Sequence, residues 1–178
     1  MRSLEKIPTG KEAEWHCLGY GKNWEQILKE KNISPETLKT FWDWVEFFKL
    51  NYPKEEAINP SPKSRWSTDL FDMVMKHLEL DPESLEDQGL YFYNALNSGL
   101  DQKGVDALFV FQDQKTNREK IFTIDLTLKS GKDVWKADLV INKIPFKETL
   151  GPEYKERMDE IARTIAEGIK AKRGITIH

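Results

Sequence analysis

The stretch DQKGVDALFVFQDQKTNREKIFTIDLTLK, residues 101–129, decides how the rest of the chain is read. Two apolar runs, 105–111 and 121–128, flank a polar segment, 112–120, that carries Asn117 but no Gly. Short β-branched and aromatic runs around a polar connector predict two strands of an antiparallel hairpin. Side chains alternate between the faces of a strand, so Phe122, Ile124, Leu126 and Leu128 share one wholly apolar face that must be buried. The opposite face carries Ile121, Thr123, Asp125, Thr127 and Lys129. Asp is depleted in strands, and a local rule broken in this way marks a functional or strained position.

The first strand opens with the same anomaly, an acid directly after a flexible glycine in Gly104-Val105-Asp106. Pairing of the two strands brings Asp106 and Asp125 to one end of the sheet. Two carboxylates there repel unless a divalent cation or a shared proton lies between them. Oxygen ligands of this kind suit magnesium, calcium or manganese. The same residues also fit a plainer arrangement, in which Asp106 ends a turn and Asp125 pairs with a lysine on a neighbouring strand.

With these residues the stretch resembles the PD-(D/E)XK nuclease superfamily. That family places an Asp after a turn at the start of one strand and an acid, any residue, then Lys on the next. Gly104-Val105-Asp106 matches the first element, and Asp125-Leu126-Thr127 matches the second in its acid but not in its lysine. Thr127 stands in the lysine position. Lys129 follows on the same face, about 7 Å further along by strand rise, and is the natural substitute. The resemblance spans residue 101 to about 141. It implies a metal-dependent nuclease acting on DNA or RNA, with Asp106, Asp125 and Lys129 as the catalytic set. Asp106 and Asp125 would hold Mg2+ or Mn2+, and the Leu126 carbonyl would be a further ligand. Lys103, Lys132 and Lys136 are the nearest cations in sequence for holding a nucleic-acid strand.

The chain has 178 residues, of which 39% are hydrophobic and 32% charged, enough for one sizeable core. No apolar run approaches the length of a membrane span, no export signal is recognisable at the N-terminus, and a single cysteine, Cys17, excludes a disulfide framework or a multi-cysteine zinc site. A cytoplasmic setting is expected. The net charge of −3 is unevenly spread. Residues 65–102 hold eight acids and two bases, whereas residues 103–147 hold nine bases and six acids. The hairpin segment is thus the most basic part of an acidic chain. That fits a phosphate-facing surface, or equally the lysine-rich strands that deter edge aggregation.

Around the hairpin, residues 1–22 read as an irregular lead-in broken by Pro8, Gly10, Gly19 and Gly21. Within it, Trp15 and Cys17 are expected to tuck the arm onto the core. Asn23 caps a short helix to residue 31, and Ser34-Pro35 opens a second to about residue 50, striped with Leu38, Phe41, Trp42, Val45 and Phe48. Pro53 ends that helix, and residues 59–62 form an extended linker. Ser67 is the expected cap of a helix buried through Leu70, Phe71, Val74, Met75 and Leu78. Acids on its polar side, Asp69 or Asp72, could lie near the metal or simply suit the helix dipole. Strands are predicted over 90–97 and 134–141, a long helix from Gly151-Pro152 to about residue 173, and a short edge strand at 175–178.

The order predicts an α+β (α/β-like) fold: a central mixed sheet flanked by helices. The resemblance adds a restriction-endonuclease-like core over 63–178, with an N-terminal helical region, 1–62, packed on it. Two functions follow: the nuclease, or a catalytically inactive module of the same fold that binds a protein or nucleic acid. Expected partners are nucleic acid, DNA ahead of RNA, a protein docking on the Trp-rich N-terminal helices, and a second copy of the chain, but no membrane.

Overall fold

The computed structural model describes residues 10–58, 64–81, 89–127, 137–142 and 151–176. Its centre is the predicted hairpin. Strand β2 (Ala107–Asp113) pairs antiparallel with β3 (Arg118–Leu126), in a register that runs from Ala107 opposite Ile124 to Asp113 opposite Arg118. The turn between them uses Asn117 at φ 50°, and Asp113 Oδ1 accepts the N–H groups of Lys115 and Thr116. Asn tolerates the left-handed conformation that this turn needs, so no glycine is required.

Strand β1 (Leu90–Asn94) joins β2 antiparallel, β4 (Leu139–Ile141) joins β3 in parallel, and β5 (Ile175–Thr176) joins β3 antiparallel. The sheet is mixed, as predicted, with helices packed around it. Residues 128–136, which include Leu128 of the predicted apolar face and the first three residues of the expected fourth strand, lie outside the described residues, as does the linker at 59–62. Of the rest of that strand only Leu139–Ile141 is paired.

Both faces of the sheet are covered. Phe122, Ile124 and Leu126 are buried with Ala107 and Phe109 under helices α5 (Arg65–His77) and α6 (Pro152–Ala171), joined by Ala13 and Cys17 of α1 (Gly10–Leu18). Leu108, Val110 and Ile121 face the other way, into a second core. That core is built from α2 (Trp24–Glu30), α3 (Phe41–Asn51) and α4 (Lys54–Ile58). The aromatic residues of α3 dominate it, with Phe48 stacked on Tyr93 and in contact with Trp24.

Several expectations need correction. Residues 10–18 are helical, not irregular: small residues Ala13 and Cys17 let α1 approach the core closely, and burial outweighs the nearby glycines. Burial also pushes the Cys17 thiol up to about 12, leaving it unreactive at neutral pH. The second helix starts at Phe41, because Thr40 and Asp43 form a reciprocal capping box. Ser34 and Pro35 open only a single 3-10 turn. The stripe of α3 is accordingly rotated: Trp44, Val45, Phe47 and Phe48 are buried, while Trp42 is 47% exposed. The cap of α5 is Ser64 rather than Ser67, and Ser67 donates instead to the Cys17 carbonyl (2.8 Å).

Candidate active site

At the end of the hairpin opposite its turn, the chain enters β2 through a 3-10 turn, Asp101–Lys103, closed by Gly104 at φ 79°. A Cβ disfavours that conformation, so glycine fits the position. Asp106 comes two residues later. Its N–H donates to the Ile124 carbonyl (2.8 Å), and its carbonyl accepts from Ala95 (2.8 Å), which ties it to β3 on one side and the end of β1 on the other. Its side chain then turns onto β3, where Oδ2 accepts the Leu126 N–H at 2.6 Å.

Asp125 lies on β3, one step beyond the last paired position, opposite Asp106 when the register is continued. On its other side it is matched with Val140 of β4. Both acids are buried, Asp106 at 3% and Asp125 at 5% exposure. The register sets the two residues opposite each other, and the Asp125 charge reaches Asp106.

Burying Asp106 has an electrostatic cost. Asp106 is pushed up from the usual aspartate range to about 8, chiefly by burial. The charges of Glu14, Asp125 and Asp101 add to this, and the Leu126 N–H opposes it. Glu14, on α1, thus contributes charge to Asp106, an influence that sequence reading missed. Its signal was hidden because residues 1–22 looked irregular. A helix there would have placed Glu14 on the turn between the buried Ala13 and Cys17.

Thr127, in the lysine position of the motif, is buried, and its N–H donates to the Ile141 carbonyl (3.0 Å). Lys129, Lys132 and Lys136 lie outside the described residues. Lys103 is turned toward the segment before α3, donating to the Lys39 carbonyl (3.1 Å). Asp69 is engaged with α6, accepting the Tyr154 hydroxyl (2.9 Å), and faces Arg65 across 3.5 Å. Burial, with the neighbouring Asp69 charge, raises Asp72.

Among the described residues, no group of three or more His, Cys, Asp or Glu side chains is gathered closely enough to hold a metal ion. The candidate donors are therefore limited to the Asp106–Asp125 pair. Two carboxylates suffice for magnesium, which keeps several waters and commonly takes one or two protein carboxylates plus substrate oxygens. Compared with known proteins, the chain matches no family model, no curated protein and no solved structure.

Proposed function

We propose that the chain is a metal-dependent nuclease of the PD-(D/E)XK type, cleaving phosphodiester bonds in DNA or RNA. The observation that supports this most is the burial of Asp106 and Asp125 together where β2 begins and β3 ends. Folding gathers like charge there, and a hard divalent cation relieves it.

Asp106 and Asp125 would hold magnesium or manganese, with the Leu126 carbonyl as a further oxygen donor. The bound cation supplies polarisation of the scissile phosphate and a lower pKa for the attacking water. The Leu126 N–H fixes the Asp106 carboxylate through Oδ2 and leaves Oδ1 for the ion. Burial keeps bulk water from competing for the carboxylates and strengthens every charge interaction at the site. Lys129 is assigned the displaced lysine role, stabilising charge on the phosphate in the transition state.

A second reading rests on Thr127. A buried, neutral side chain in the lysine position suits a descendant of the fold that binds nucleic acid or protein without cleaving. Labelled single- and double-stranded DNA and RNA, incubated with magnesium, manganese or a chelator, separate the two. The nuclease reading expects divalent-dependent cleavage that falls about 10²–10³-fold in Lys129→Ala. Absence of cleavage by the wild type on every substrate, with activity gained by Thr127→Lys, makes the chain a binding descendant.

A further inference from the structure

The edge of β3 that faces away from β2 is covered in two pieces. β5 pairs with Arg118 and Glu119, and β4 with Ile124, Asp125 and Leu126. Between them, Lys120, Ile121 and Thr123 border a recess of about 420 Å³. This is the size range of small-ligand sites.

The recess combines an aromatic wall with positive charge. Trp24, Trp44 and Trp66 are buried, but Trp42, at the start of α3, stands half exposed on the recess wall. Of the charged residues lining it, Glu119 is paired with Lys49 (2.9 Å) and Asp138 with Lys172 (2.7 Å). Among the described residues no carboxylate is paired with Lys120 or Arg173, so the lining carries net positive charge. Asp138 also offers hydrogen-bonding capacity. Thr123 N–H (2.8 Å), Thr123 Oγ1 (2.9 Å) and Lys172 all reach its Oδ2, and among the described residues no donor occupies Oδ1.

The position is connected to the carboxylates. Thr123 lines the recess, and Asp125 lies two residues along on the same face of β3, about 7 Å away by strand rise. An aromatic platform beside cations is how single strands are held, since every base has a π-face and every linkage a charge.

We propose that this recess receives one base of a single-stranded nucleic-acid segment. The base stacks on Trp42, and the flanking phosphates lie against Lys120 and Arg173. The inference names the substrate form for the nuclease reading and rests on it for the link to Asp125, but binding itself needs no metal.

The test is fluorescence anisotropy with a short labelled oligodeoxyadenylate at low salt in chelator, so that nothing is cleaved. Wild type binds. Trp42→Ala binds about 10-fold or more weakly, within the range of base–aromatic stacking, while Trp42→Phe retains most of the affinity. Arg173→Ala binds more weakly, with a shallower dependence on salt. Circular dichroism and an unchanged melting temperature show that the exposed substitution at residue 42 leaves the fold intact. Absence of cleavage by the wild type in magnesium or manganese, with this binding retained, removes the nuclease reading and leaves this inference standing. No binding by wild type at low salt, or equal binding by Trp42→Ala, overturns it.

Discussion

Asp106 Oδ2 accepts the backbone N–H of Leu126 at 2.6 Å, so the acid that precedes β2 is fastened to the residue following the acid of β3. The bond holds one buried acid against the strand that carries the other. From this relationship come the charge cost of the site and its expected response to pH and to cations.

Asp106 takes its proton more readily in the folded chain than in the unfolded one, with a pKa of about 8 against an ordinary 3.8. Between those values the folded state binds more protons, so this group makes stability fall as pH rises from about 4 to about 8 and then level off. Asp106→Asn keeps an acceptor for the Leu126 N–H and removes the titration. Its melting temperature should match wild type near pH 4 and exceed it increasingly toward pH 9. The difference between the two proteins, followed by calorimetry across that range, isolates the contribution. A difference that does not grow with pH contradicts the prediction.

Glu14 adds its charge to the site from α1. Glu14→Gln removes one repelling charge, so the Asp106 carboxyl should titrate at lower pH. Carbon-detected NMR of the side-chain carboxyl measures this. An unmoved or raised midpoint would place Glu14 outside the electrostatic neighbourhood.

How much of this was legible beforehand follows from the kind of signal each part left. The hairpin, the buried face of Phe122, Ile124 and Leu126, and the register that sets Asp106 opposite Asp125 all follow from period-two alternation, which a local window records. Glu14 left no such trace. Its helix carries small buried residues between glycines and is held by packing, which no window of sequence contains. The starts of α3 and α5 were misplaced because each has two plausible caps in its neighbourhood. The chosen one, Thr40 or Ser64, is decided by tertiary burial of the residues that follow. The recess beside β3 was hidden for a similar reason, since it depends on where β4 and β5 end, and both are very short.

Leu126 is 1% exposed and sits beneath the candidate site. Leu126→Ala should cost about 2–5 kcal/mol as a buried large-to-small change. Urea unfolding with an unchanged slope measures it. A cost under about 0.5 kcal/mol, typical of surface positions, would contradict the placement of this face in the core.

Gly168 of α6 packs directly on the Phe122 ring, where an added Cβ would overlap ring carbons. Gly168→Ala gains helix propensity but forces ring or helix to shift, and a net loss of about 1–3 kcal/mol is expected. Thermal unfolding of the variant checks the contact between α6 and β3. A variant more stable than wild type would contradict it.

The central claim, that Asp106 and Asp125 form a divalent-cation site, is tested most directly by calorimetric titration with manganese near pH 7. The account predicts saturable binding to the wild type and its loss in both Asp106→Asn and Asp125→Asn. It also predicts heats that change with the ionisation enthalpy of the buffer, because Asp106, raised to about 8, must release its proton to the buffer as manganese binds. Absence of any binding heat at millimolar manganese, or binding retained undiminished in both variants, would contradict it.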